Sequence, residues 1–189
     1  DGVAIFVPKE SVKKVESFIA ASMEMNIEEG VEYRRELMPF TLHGVSAGDR
    51  FELPKECGGP GMVVEVFEMI HTAPCRGYGV SRSKKRLSER LRGMSGKEIA
   101  AKRAAGEVVE ETVVEPMFAF LGDTSVEALS MPQNGNLFRF PVIFVECSFV
   151  PLEDVREGSS AVASAEKIED KKDRHVHWSE LRPFVETHP

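Results

Sequence analysis

Short apolar runs cut by Gly, Pro or charge constrain this chain more than any other feature of its sequence. VAIFV (3–7), MFAFL (117–121) and FPVIFVECSF (140–149) have strand length, and none approaches the ~20 apolar residues that cross a bilayer. VAIFV, ended by Pro8, reads as a buried strand, and FPVIFVECSF is the strongest strand candidate. Between them the period changes: Val12, Val15, Ile19 and Met23 recur at helical spacing and predict an amphipathic helix over 10–25, packed on the sheet. Residues 36–74 alternate β-rich runs with Gly and Pro, predicting several antiparallel strands with CGGPG (57–61) as a tight hairpin connection. YGV (78–80) continues a strand into a basic segment, and VVEETVV (108–114) is a further strand candidate beside MFAFL. Ser95 and Glu98 have capping-box spacing, so a short helix opens near Ile99 and ends at Gly106. WSELRPFVETH (178–188) returns to helical spacing at Trp178, Leu181 and Val185, while residues 153–174 are acidic, Ser/Ala-rich and aperiodic, as expected of a mobile surface loop. The sum is a layered α/β or α+β fold on one domain, 1–189.

Charge is distributed unevenly. Between Arg82 and Arg103 stand nine cations and two anions, a balance of +7 in a chain of net charge −7, so the remainder carries −14. One basic segment (82–106) on an acidic body suits a local grip on phosphates; a solvated helix face is the other reading of the same residues. Cys57, Cys75 and Cys147 are too few and too scattered for a disulfide framework or a cysteine-rich zinc site, and fit a reducing compartment.

Three strand exits carry residues able to do chemistry. Asp123 follows MFAFL and Gly122, where a carboxylate is commonly a turn or cap residue and less often a ligand. His71 follows a β-rich run, where a lone imidazole is more often a satisfied structural residue than a metal ligand. Glu146 lies at the end of a strand, and His175 and His177 follow the acidic loop. Two histidines at i, i+2 on extended backbone point to opposite sides, which favours one of them acting with a carboxylate to orient it.

Taken in order, IHTAPCRGYG, AFLGDTS, VECSF and RHVHWSEL resemble the second half of short-form tRNase Z, in the metallo-β-lactamase superfamily. FVPKE (6–10) and LRGMSGKEIAAKRAAGEVV (91–109) match that family in character and placement, so the resemblance covers most of the chain. It implies an αββα sandwich, here incomplete, and places metal-ligand roles on His71, in the pattern H-x-x-x-x-x-G-Y, and on Asp123 of G-D-T as a carboxylate bridging two zinc ions. Glu146 in ECSF and His175 correspond to a pair that protonates the leaving oxygen. The family's H-x-H-x-D-H is absent from the five histidines His43, His71, His175, His177 and His188, and a last ligand histidine is expected beyond ETHP. The chain is therefore expected to be an internal portion, with about half a metal site and little activity by itself.

The function implied is zinc-dependent removal of the 3′ trailer from precursor tRNA, in a homodimer, without a membrane and in the cytoplasm. Arg86, Arg90 and Arg92 are the expected RNA contacts. Two alternatives stand beside it: another hydrolase of the superfamily, which would keep His71 and Asp123 but need not keep Glu146 and His175, and a non-catalytic binding domain. His43, His177 and His188 are expected to make surface or local contacts, and Cys75 to be incidental.

Overall fold

The structure, a computed structural model, describes residues 3–26, 40–54, 61–148 and 175–188. Strand β1 (Val3–Pro8) leads through a 3-10 turn into helix α1 (Val12–Glu24) and then to β2 (Phe40–Val45). Strands β3 (Arg50–Glu52), β4 (Met62–Glu68) and β5 (Arg76–Leu87) follow, then helix α2 (Gly96–Ala104) and β6 (Glu110–Phe120). Three short 3-10 turns between Val126 and Arg139 lead to β7 (Ile143–Phe144), and helix α3 (Trp178–Thr187) closes the described chain. The architecture is α+β, with one two-stranded sheet, β1-β2, and one five-stranded sheet in the order β3-β4-β5-β6-β7.

Several expectations are corrected. Strand β1 is half-buried rather than buried, since its sheet has only two strands among the described residues. Strand β2 lies parallel to β1, with Val3 opposite Phe40 and Pro8 opposite Val45, not within an antiparallel set. A strand–helix–strand connection returns the chain to the same end of the sheet, and that forces the parallel arrangement. Strands β3 and β4, both within 36–74, are antiparallel as expected, and β5 and β6 extend the antiparallel order. VVEETVV and MFAFL are one strand, β6, whose register against β5 slips between Val80 and Ser81, opposite Phe118 and Pro116. Pro116 has no N–H to give the ladder, and the bulge absorbs that loss without ending the strand.

FPVIFVECSF contributes only Ile143 and Phe144 to the sheet. They run parallel to Ala119 and Phe120, held by Ala119 N–H to Val142 O (2.9 Å) and Leu121 N–H to Phe144 O (2.9 Å). Pro141 cannot donate to a ladder, and the residues after Phe144 leave the sheet carrying Glu146 with them. The connection at 57–61 falls largely, and the loop at 153–174 wholly, outside the described residues. The capping box of α2 is present: Ser95 Oγ accepts from Glu98 N–H and Glu98 Oε2 accepts from Ser95 N–H (2.8 Å), and Gly106 ends the turn at φ 78°.

The core lies on one face of the large sheet. Phe67, Met69, Ala119 and Leu121 point into it and are covered by Ala128, Leu129, Leu137 and Phe140 of the 3-10 turns and by Val176 and Leu181 around α3. Gly79 makes this possible: a Cβ there would stand 2.4 Å from Phe140 Cζ and 2.8 Å from Phe67 Cε2, so the edge-to-face pair Phe67–Phe140 (5.9 Å between centroids) fits only over bare backbone. The small sheet docks through Tyr78, whose hydroxyl donates to Phe6 O (3.2 Å), and through buried Arg76, which reaches Glu10 (3.0 Å) and Glu68 (3.2 Å).

Candidate active site

The core-packed ends of β4 and β6 and the segment after β7 open onto one rim of the large sheet. At the end of β6, Gly122 adopts φ 66°, a conformation that costs a glycine little, and the turn it makes leaves Asp123 exposed just beyond buried Leu121. Asp123 and Glu146 both line a cleft of about 420 Å³, with Phe120 and Phe144 among its walls.

Glu146 is the best-held carboxylate of the rim. Oε1 accepts from Thr124 N–H (3.1 Å), and Oε2 accepts from the Ser148 hydroxyl (2.6 Å). His175 Nδ1 lies 2.8 Å from Oε1 and 3.0 Å from Oε2. A carboxylate only accepts, so Nδ1 carries the proton of this bond. Chain direction contributes as well: Ser148 N–H donates to Val176 O (3.1 Å), tying the segment of Glu146 to the segment of His175 across 29 residues.

His71 meets this pair from the other side, its ring edge-to-face with His175 at 5.4 Å. The loop that carries it is fixed by buried polar groups. Ile70 N–H donates to Thr124 Oγ1 (3.1 Å), and Ser125 N–H donates to Ile70 O (3.0 Å). Just upstream, buried Asn134 accepts from Glu68 N–H (3.0 Å) and donates to Glu68 O (2.7 Å) and Ala128 O (2.8 Å). Cys75 sits at the same rim: burial pushes its thiol up, and the charges of Asp123 and Glu146 push the same way, while the Arg76 N–H and guanidinium pull it down. At neutral pH it is a thiol, not a thiolate nucleophile.

His71, Asp123, Glu146 and His175 thus lie around one rim. His177 instead accepts from Ser179 N–H (3.2 Å) as the cap of α3, and His43 and His188 are exposed and stacked on Phe6 and Phe138. Arg86, Arg90 and Arg92 are elsewhere. Arg86 stands ten residues along β5 from Arg76, roughly 33 Å at ~3.3 Å per strand residue, and Arg90 and Arg92 follow in and after the 3-10 turn beyond Leu87. Arg86 and Lys84 pair with Glu115, Arg92 pairs with Glu89 (3.1 Å), and Arg90 donates to Val108 O. Thr124, Ser148 and Asn134 are structural parts of the rim; in the sequence Thr124 and Ser148 show only as hydroxyls near Asp123 and Glu146, and Asn134 carries no signal.

A zinc ion needs three or four donors at ~2.0–2.3 Å. Among the described residues no three His, Cys, Asp or Glu side chains come together closely enough to hold an ion, so these residues do not by themselves complete a zinc site. What they do form is an imidazole held by Glu146, whose cleft exposed Asp123 also lines. No helix among the described residues is long and apolar enough to cross a membrane.

No family model matches the chain. Among curated proteins it is similar to the chloroplastic tRNase Z TRZ2 of Arabidopsis thaliana, 29% identical over 146 residues that make up 77% of this chain and 38% of that protein. It is also similar to tRNase Z TRZ1 of the same plant, 26% identical over 194 residues, 94% of this chain and 68% of that protein. The match therefore spans well under half the length of the first relative. In sequence the chain is thus similar to tRNase Z, and its mixed helices and two sheets are consistent with the α+β content of a metallo-β-lactamase-like fold.

Proposed function

We propose that this protein takes part in hydrolysis of a phosphodiester in precursor tRNA, releasing the 3′ trailer. The observation that carries the reading is the Glu146–His175 hydrogen bond set against His71 and beside the cleft of Asp123. Hydrolysis breaks the bond between phosphorus and the 3′-oxygen of the tRNA. The water oxygen stays with the 5′-phosphate of the trailer, and the departing 3′-oxygen needs a proton. His175 supplies it from Nε2 while Glu146 holds Nδ1–H and keeps the ring aimed. A positioned donor of this kind is worth ~10²- to 10⁴-fold in rate.

His71 and Asp123 are, in this reading, the ligands this chain contributes toward the zinc of the family. The described residues alone do not complete that site, so the chemistry assigned to them is proton transfer and substrate holding. The β5–β6 arm is assigned to the body of the RNA: Arg86 stands roughly 33 Å along β5 from Arg76, and with Arg90 and Arg92 it reaches backbone phosphates away from the scissile bond. Their present partners are surface groups, and exposed ion pairs are worth only ~0–1 kcal/mol, so exchanging a carboxylate for a phosphate costs little. A cytoplasmic homodimer completes the reading.

The test is incubation of the full-length protein with a precursor tRNA and chemical mapping of the product ends. A tRNA 3′-hydroxyl and a trailer 5′-phosphate are expected. A 2′,3′-cyclic phosphate or an uncut precursor, with hydrolysis of a different ester, would transfer the site to another hydrolase of the superfamily.

A further inference from the structure

We propose that Thr124 is the positioning residue of this rim, a latch that sets the His71 loop and the Glu146–His175 pair at one fixed spacing. The inference rests on the phosphodiesterase reading for its catalytic consequence and on geometry alone for the latch. Thr124 is fully buried, with 0% of its surface exposed, although Asp123 before it is exposed. Its backbone N–H and its side-chain hydroxyl are both committed. The backbone N–H donates to Glu146 Oε1 (3.1 Å), the same oxygen that His175 Nδ1 approaches at 2.8 Å. The side-chain oxygen accepts from Ile70 N–H (3.1 Å), one residue before His71, and its hydroxyl proton points at Ser125 O (3.4 Å). Ser125 N–H returns to Ile70 O (3.0 Å), so the two segments exchange a closed pair of bonds.

Three loops that are 54 and 22 residues apart in sequence thus meet at one residue. A buried N–H without an acceptor is costly, so Ile70 is driven to stay where Thr124 Oγ1 is, and His71 goes with it. Valine fills the same space but offers no acceptor. Serine keeps the acceptor and loses only a methyl group. The backbone bond to Glu146 survives both changes, which isolates the His71 side of the latch.

The experiment compares Thr124→Val and Thr124→Ser with the wild type in the full-length protein, by amide hydrogen exchange and by precursor cleavage. In Thr124→Val the Ile70 amide should exchange about ten-fold faster, the value of one hydrogen bond, while the Ala119 amide in β6 is unchanged. Its kcat should fall about ten-fold with KM held within about two-fold, and Thr124→Ser should restore both readouts. Unchanged Ile70 exchange in Thr124→Val, or a loss that Thr124→Ser does not rescue, overturns the proposal. If the valine variant does not fold, the wild type decides alone: Ile70 protected like Ala119 supports the latch, and Ile70 exchanging like exposed Thr72 overturns it. If the wild type cuts no precursor, the phosphodiesterase reading falls, and the exchange comparison still decides for or against the latch.

Discussion

Changing Glu146 to Gln keeps the shape of the side chain and removes its charge, which isolates what the carboxylate does for His175. The two oxygens now take Thr124 N–H, Ser148 O–H and His175 N–H between them. An amide has one accepting oxygen and one donating nitrogen. Ser148 can rotate its hydroxyl to accept from that nitrogen, but Nδ1–H cannot be met by another donor, so His175 must share the remaining oxygen with Thr124. A hydrogen bond to a charged group is worth ~1.5–3 kcal/mol and a neutral one ~0.5–1.5 kcal/mol. The difference, about 1–1.5 kcal/mol, corresponds to about ten-fold in rate. Solvent does not erase it, because the Glu146 and His175 side chains are only 15% and 29% exposed. His175→Ala removes the donor itself and should cost ~10²- to 10⁴-fold. Since the two residues act as one unit, the double variant should be no slower than His175→Ala alone. Single-turnover cleavage of precursor tRNA at saturating protein measures all four rates. Multiplying losses in the double variant, or a wild-type rate for Glu146→Gln, would refute the pairing.

Reversing the charge of Arg86, Arg90 and Arg92 together should weaken precursor tRNA binding and flatten its dependence on salt, measured by filter binding at several ionic strengths; unchanged affinity would remove the arm from the binding surface. Gly79→Ala places a methyl carbon against Phe140 and Phe67 and should destabilise the fold by about 1–3 kcal/mol, read from the midpoint of urea unfolding. Cys75, with its thiol pushed up by burial first and by the nearby carboxylates second, should react with iodoacetamide at pH 7 more slowly than free cysteine and gain rate as pH rises past the ordinary thiol range. Peptide mapping follows the label, and reaction at the free-cysteine rate would contradict that environment.

The strands and helices were legible from period and punctuation because each depends on local pattern: the capping box at Ser95 and the helical spacing from Val12 and from Trp178 all give helices. Pairing was less legible. The parallel partner of β1 was implied by the helix between two strands, a non-local cue that runs of alternating residues do not carry. VVEETVV and MFAFL read as separate runs and form one strand, because the register shift beside Pro116 tolerates a missing donor that a regular ladder does not. In the candidate site, Glu146 and His175 are 29 residues apart; the strand-exit pattern set Glu146 beside the His175–His177 segment, and the family resemblance singled out His175 as its partner. Thr124 gave no sign of its burial, because a hydroxyl beside an exposed Asp reads as turn chemistry.

Asp123 is where the turn reading and the functional reading part most cleanly. It is exposed beyond Gly122, and its side chain supports no part of the core, so Asp123→Ala should leave unfolding by urea and the amide exchange of Ala119 and Ile70 at wild-type values. Cleavage of precursor tRNA by the full-length protein, followed in the same preparation, should fall to background if Asp123 belongs to the reacting centre. Retained cleavage in a folded Asp123→Ala variant would return this residue to a turn and contradict the site proposed at this rim.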